Sequence, residues 1–132
     1  MKAVLTSILM GVVVLLAISS CATVPKEPLG PGEVRLLGLE IPENGNLKVG
    51  IVYTATIPFE ADGRPEIRRV CFVWPEESAR CDRVKKVEWS DARIDVPFYA
   101  LPDRNRLNCY VEYVRDGKAR RTNTVFSYVT GM

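Results

Sequence analysis

Residues 107–129 read LNCYVEYVRDGKARRTNTVFSYV, a segment in which two alternating runs of apolar and polar residues flank Asp116-Gly117. An Asp-Gly pair between alternating runs is the signature of a β-hairpin closed by a two-residue type I′ turn. The runs 107–114 and 119–129 are therefore predicted to be adjacent antiparallel strands.

The turn also predicts which residues face each other, because positions equally distant from it pair across the hairpin. On the polar face it pairs Glu112 with Arg121. On the apolar face it pairs Leu107 with Phe126. Turn chemistry and hydrophobic pattern agree on this hairpin.

The chain before the hairpin shows further segments of alternating or β-branched residues, each ended by proline or turn residues. The clearest alternation runs from residue 47 to residue 57, and a proline follows it directly. Residues 61–65 form a loop, and Pro102-Asp103 turns the chain before the hairpin. The strands predicted in this part of the chain are 34–41, 47–57, 67–74 and 93–99.

Residues 76–90 permit two interpretations. A helix starting after Pro75 would place Cys81, Val84 and Val87 on one side. A turn near Glu76 would instead make residues 81–89 a return strand, which we favour because it places Cys71 opposite Cys81. Directly opposed cross-strand residues lie within disulfide-bonding reach.

About seven short strands without a long amphipathic helix indicate an all-β protein, a single antiparallel β-sandwich. The architecture resembles immunoglobulin-like and fibronectin-like sandwiches, and Trp74 matches the buried tryptophan of the third strand. Two features depart from the immunoglobulin pattern. The strand 47–57 has no cysteine for the inter-sheet bridge, and Leu107 replaces the tyrosine expected two residues before Cys109. The resemblance therefore implies the architecture and no particular family.

Three cysteines follow position 21. Disulfides persist in chains exported from the cytoplasm, and the first residues of this chain, described next, predict export. We predict a Cys71–Cys81 bridge that leaves Cys109 as a buried apolar residue, while a Cys71–Cys109 pairing stays open. Zinc is disfavoured because the chain has no histidine and no CxxC pair.

The first twenty residues look like an export signal. Lys2 supplies a positive charge, and a mostly apolar run then extends from Ala3 to Ile18. Ile18-Ser19-Ser20-Cys21 resembles the lipobox of bacterial lipoproteins, in which an aliphatic residue and two small residues precede the cysteine.

The lipobox resemblance implies cleavage before Cys21, lipidation of its sulfur and attachment to a membrane. An ordinary secretory signal with a chance cysteine is the alternative. We divide the chain into a signal peptide (1–20), a lipidated, Pro/Gly-rich tether (21–32) and a β-sandwich domain (33–132). Since Ala22 is not the Asp of an inner-membrane retention signal, the periplasmic face of the outer membrane is expected in a Gram-negative host.

Composition argues against several functions. Without the leader, which holds Lys2 and no acid, 17 of the 18 basic residues and all 16 acidic residues remain. This near balance gives no support to nucleic-acid binding. The chain has no histidine, the commonest catalytic base. None of Ser78, Ser90 and Ser127 belongs to an S-x-x-K motif. Glu76-Glu77 is interpreted as solvated charge rather than as the carboxylate pair of a glycosidase. We predict neither an enzyme nor a cofactor.

Basic residues are frequent in the second half of the chain but are interleaved with acids, which favours a mixed surface. The sequence therefore predicts a membrane-anchored envelope lipoprotein with a non-catalytic sandwich for interaction with another envelope protein or for a structural role. The alternative is binding of an anionic envelope glycan or lipid through these basic residues. They are Arg64, Arg68, Arg69, Arg80, Arg83, Lys85, Lys86, Arg104, Arg106, Arg115, Lys118, Arg120 and Arg121.

Overall fold

The computed structural model describes residues 27–132, and these residues form nine β-strands in two packed sheets. The signal peptide, Cys21 and the first part of the tether lie outside the described residues. The strands are β1 (Val34–Leu36), β2 (Asn46–Leu47), β3 (Val52–Ala61), β4 (Ile67–Val73), β5 (Arg80–Arg83), β6 (Arg93–Tyr99), β7 (Asp103–Arg115), β8 (Lys118–Arg121) and β9 (Val125–Gly131).

The smaller sheet has the order β1-β3-β6, and the larger sheet has the order β2-β9-β7-β4-β5, with β8 paired to β7. Every pairing is antiparallel except the short parallel contact of β2 with β9. The predicted all-β sandwich is confirmed. The described residues contain more strands than the expected seven, because β2 is separate and the last predicted strand is divided into β8 and β9.

The core lies between the sheets, where alternate residues of each strand point inward. Ile57 and Ile94 of the smaller sheet and Leu107 and Val111 of the larger sheet are fully buried. Trp74, directly after β4, is also buried in this core, as the resemblance implied.

The limits of two strands differ from the prediction, because one glycine turns the chain within a predicted strand and one proline does not end its strand. Gly50 has a φ of +90° and turns the chain, so β3 begins at Val52 rather than at residue 47. Pro58 does not end β3, because its missing N–H falls opposite a bulge at residues 37–39. The same bulge shortens the predicted strand 34–41 to β1.

The ambiguous segment 76–90 turns back as a strand, although β5 is much shorter than the predicted 81–89. Cys71 and Cys81 are direct partners in the β4–β5 ladder. They form a disulfide bond, in agreement with the hairpin interpretation.

The register of the last hairpin is predicted only in part. Glu112 does pair with Arg121. Leu107 pairs with Ser127, so the predicted Leu107–Phe126 pair is wrong. The reason is a bulge in which three residues, 122–124, lie opposite two residues of β7, which shifts all following partners by one position.

The bulge is stabilised by its own side chains. Thr122 bonds to Val111 in both directions: its N–H donates to the Val111 carbonyl, and its Oγ1 accepts from the Val111 N–H, each at 2.9 Å. Asn123 reaches the other sheet, where its Oδ1 accepts from the Leu36 N–H at 2.8 Å and its Nδ2 donates to the Leu36 carbonyl at 3.0 Å. One carboxamide thus takes the place of a neighbouring strand at the edge of β1.

Replacement of Asn123 tests this link. Asn123→Ala leaves both backbone groups of the buried Leu36 without their partners, and we expect the free energy of unfolding to fall by about 1–3 kcal/mol. Asn108→Ala is the matched control, because within residues 27–132 the Asn108 side chain bonds only to the exposed Arg106 side chain. It should cost less than about 0.5 kcal/mol. Equal losses in urea denaturation would contradict the role of Asn123.

Candidate interaction face

The outer surface of the larger sheet carries two exposed aromatic rings on its β9 strand. Phe126 is 48% exposed and Tyr128 is 50% exposed. Side chains alternate along a strand, so the one-residue shift at the bulge turns this pair outward and turns Val125, Ser127 and Val129 inward. Large aromatic side chains exposed together on the outer surface of a sheet mark a candidate binding surface.

Arginines of β7 cover these rings. The Arg106 guanidinium carbon lies 3.8 Å from the Phe126 ring centre, and that of Arg104 lies 4.9 Å from the Tyr128 ring centre. The two rings meet edge to face with their centres 5.8 Å apart. Cation–π contacts of this kind hold the guanidinium groups in place over the sheet.

The same arrangement continues towards β4. The Arg121 guanidinium lies 4.7 Å from the Tyr110 ring centre. Arg69 donates from Nε and Nη2 to one carboxylate oxygen of Glu112, at 2.9 and 2.6 Å. We call the outward-facing residues of β4, β5, β7, β8 and β9 the arginine–aromatic face.

Charge is strongly one-sided on the arginine–aromatic face. Among the described residues it presents five arginines against the single acid Glu112, a net charge of +4. The outer surface of the smaller sheet instead mixes Arg35 and Arg93 with Glu60 and Asp95, which form ion pairs there. The five arginines are Arg69, Arg83, Arg104, Arg106 and Arg121.

Cys71 and Cys81 lie on the arginine–aromatic face, whereas Cys109 lies in the core. Cys71 is the partner of Tyr110, and Cys109 is the partner of Phe72, so the two cysteines point to opposite sides of the larger sheet. This geometry excludes the alternative Cys71–Cys109 bridge. The disulfide ties the short edge strand β5 to β4.

The Cys71 and Cys81 sulfurs and a Glu112 carboxylate oxygen lie within 4.8 Å of one another, a spacing that suits a metal. Both sulfurs are used in the disulfide, so neither is a thiolate ligand.

No protein-family model matches this chain, and no curated protein matches it either. Within residues 27–132, none of the structure is a helix long and apolar enough to cross a membrane.

Sequence reasoning missed the outward direction of Phe126, because alternation alone assigned it to the core. A signal was present in the three polar residues Thr122-Asn123-Thr124, which interrupt the alternation where the bulge forms.

The buried thiol of Cys109 gives a testable property of the core. Burial raises the pKa of this thiol to about 12, so it stays protonated and protected at neutral pH. Iodoacetamide at pH 8 should not alkylate Cys109 in the native protein and should alkylate it in the denatured protein. Peptide mass mapping measures the modification.

The raised pKa also predicts a dependence of stability on pH. An unfolded thiol ionises near pH 8.5, while the native thiol keeps its proton, so the folded state loses relative stability as pH rises from about 8.5 towards 12. Between pH 8 and pH 10 the free energy of unfolding should fall by about 2 kcal/mol more in the native sequence than in Cys109→Ala. Parallel pH curves for the two proteins would contradict the assignment.

Proposed function

We propose that this chain is an exported lipoprotein, lipidated at Cys21 and held in the cell envelope, whose sandwich binds another envelope protein through the arginine–aromatic face. In a Gram-negative host its place is the periplasmic side of the outer membrane. The observation that carries the interaction is the pairing of exposed Phe126 and Tyr128 with the guanidinium groups of Arg106 and Arg104.

The chemistry of this face suits a protein partner. Aromatic residues and arginine are enriched at protein interfaces and dominate their binding energy. Guanidinium groups already stacked on rings lose less conformational freedom on binding than free side chains do. The net charge of +4 favours a partner that presents carboxylates.

The last part of the tether supports the proposed orientation. Arg115 Nε donates to the Pro31 carbonyl at 2.8 Å, and the Gly32 N–H donates to Asp62 at 2.8 Å. The chain therefore enters the domain beside the β7–β8 turn. Residue 27 follows Cys21 by six positions, a reach of about 20 Å at most.

Strand β7 runs from this entry point to the other end of the domain. Arg115 lies near the tether, and Arg104 and Arg106 lie about ten residues away along the strand, which corresponds to roughly 30 Å. With Cys21 in a membrane, this arrangement presents Phe126 and Tyr128 away from the lipid, where a partner has access.

An anionic envelope glycan is a second candidate for the same face. Exposed rings stack on sugar rings, and the neighbouring arginines suit carboxylates. Binding dominated by such charges should weaken strongly with salt. A protein interface centred on Phe126 and Tyr128, which the partner would cover, should resist salt better.

The anchor is tested by the intact mass of the chain extracted from native membranes. The proposal predicts the mass of residues 21–132 plus acyl chains. An unacylated mass would contradict the lipoprotein assignment and leave the sandwich itself unaffected.

The partner is tested by placing a photoreactive phenylalanine analogue at position 128 and irradiating intact cells. We expect one discrete adduct with an envelope protein, and its loss when Arg104→Glu and Arg106→Glu reverse the charge of the face. Position 51 is the matched control, because Ile51 is similarly exposed, at 45%, but lies outside the face.

Equal adducts from positions 51 and 128 would contradict a specific face. Absence of a protein adduct, together with salt-sensitive sedimentation with peptidoglycan that the charge reversal abolishes, would favour the glycan.

A further inference from the structure

A groove of about 410 Å³ lies between β1 and β8, beside the point where the tether enters the domain. Val34 and Tyr113, both buried core residues, form its floor. Glu33 and Arg35 contribute from the β1 side, and Arg115 and Arg120 contribute from the other wall. Arg121 of the arginine–aromatic face also lines the groove, so the two surfaces adjoin at β8, whereas Phe126 and Tyr128 lie outside the groove.

Charges in the groove are not balanced. Arg35 forms ion pairs with Glu33 at 3.6 Å and Glu60 at 3.0 Å. Arg115 bonds to a backbone carbonyl of the tether rather than to a carboxylate. Within residues 27–132, Arg120 has no carboxylate within ion-pairing distance, although Glu33 shares the groove with it.

Arg120 owes its place in the groove to strand register. It is the direct partner of Tyr113, so its side chain belongs to the inward-facing set of the hairpin. All four residues of β8 are exposed, and the Arg120 side chain lines the groove instead of entering the core. The shape of the sandwich thus leaves an unneutralised guanidinium above an apolar floor.

The Tyr113 hydroxyl adds a polar group to the floor. Tyr113 is only 3% exposed, and within residues 27–132 its hydroxyl has no hydrogen-bond partner. Tyr113 lines the groove, so a ligand bound there contacts this side chain below it and guanidinium groups beside it.

We propose that this groove binds the phosphodiester headgroup of an anionic membrane lipid. A guanidinium can donate two parallel hydrogen bonds to a phosphate, and the apolar floor of Val34 and Tyr113 suits the glycerol and first acyl carbons. A zwitterionic headgroup would bring its own cation against the arginines. The proposal rests on the lipoprotein assignment only for how the groove reaches a membrane.

Position supports a lipid as the ligand. Glu33 lines the groove, and the tether that leads back to Cys21 is held there by the hydrogen bond from Arg115, another lining residue, to the Pro31 carbonyl. A reach of about 20 Å keeps this end of the domain near the leaflet that holds the anchor. Lipid binding here would fix the domain against the membrane on its β1–β8 side and leave Phe126 and Tyr128 directed away from it.

The test is a titration of the chain, extracted from native membranes into a nonionic maltoside detergent, with short-chain phosphatidylglycerol. Backbone amide resonances of Arg120 and Thr122 report binding. We expect a saturable shift that phosphatidylcholine of the same chain length and inorganic phosphate reproduce only at about tenfold higher concentration.

Matched variants locate the site. Arg120→Gln should weaken binding by about tenfold, because it removes a charged, two-pronged donor. Arg120→Lys keeps the charge and should lose about threefold, which gives a second reading if the glutamine variant folds poorly. Arg80→Gln removes the same charge from β5, outside both the groove and the arginine–aromatic face, and should bind as the native chain does.

Unchanged binding by Arg120→Gln, or an equal loss in Arg80→Gln, would overturn the groove as the site. Inorganic phosphate binding as tightly as phosphatidylglycerol would overturn the lipid as the ligand. The titration does not require an anchor, so a chain without acyl groups would refute the lipoprotein assignment and leave the result for the groove valid.

Discussion

The structure depends on the pair of hydrogen bonds between the Asn123 carboxamide and the backbone of Leu36. These bonds satisfy a buried edge of the smaller sheet from a residue of the larger one. Without these partners, the Leu36 N–H and carbonyl would be buried with no hydrogen bond to replace the ones they make to water, which destabilises the folded state. To reach Leu36, the chain must leave the β7 ladder at residues 122–124, and this departure adds the extra residue of the bulge. The contact between the two sheets and the register of β9 on β7 therefore depend on each other.

The bulge has a direct chemical consequence on the surface. A shift by one residue exchanges the two faces of a strand, so β9 buries Val129 and exposes Phe126 and Tyr128. Arg104 and Arg106 therefore stack on these two rings at the outer surface. Without the extra residue, Phe126 would point into the core and the arginine–aromatic face would lose its centre.

The two ends of the larger sheet differ in chemistry as well as in position. The end near the tether combines Arg115 and Arg120 with the floor of a groove, and the far end combines exposed rings with stacked arginines. Total charge is almost balanced, yet the fold places acids mostly elsewhere, as with Glu60 and Asp95 on the smaller sheet. Basic and acidic residues are interleaved along the sequence, but the fold places most of them on different surfaces.

Local signals carried the correct predictions. Asp116-Gly117 defines a turn with few alternatives, and the spacing of Cys71 and Cys81 fits a hairpin with little freedom. Non-local effects caused the errors. Pro58 is tolerated within β3 because the bulge of another segment lies opposite it, and Phe126 points outward because Asn123 bonds to a residue 87 positions away. Charge segregation depends on which strands become neighbours, and alternation within one strand does not contain that information.

The proposed interaction face depends on the one-residue shift in the last hairpin, and cross-strand nuclear Overhauser contacts between β7 and β9 test this shift most directly. We expect contacts that pair Cys109 with Val125 and Leu107 with Ser127. Contacts that pair Leu107 with Phe126 instead would place Phe126 in the core, remove the bulge and contradict the proposed interaction face.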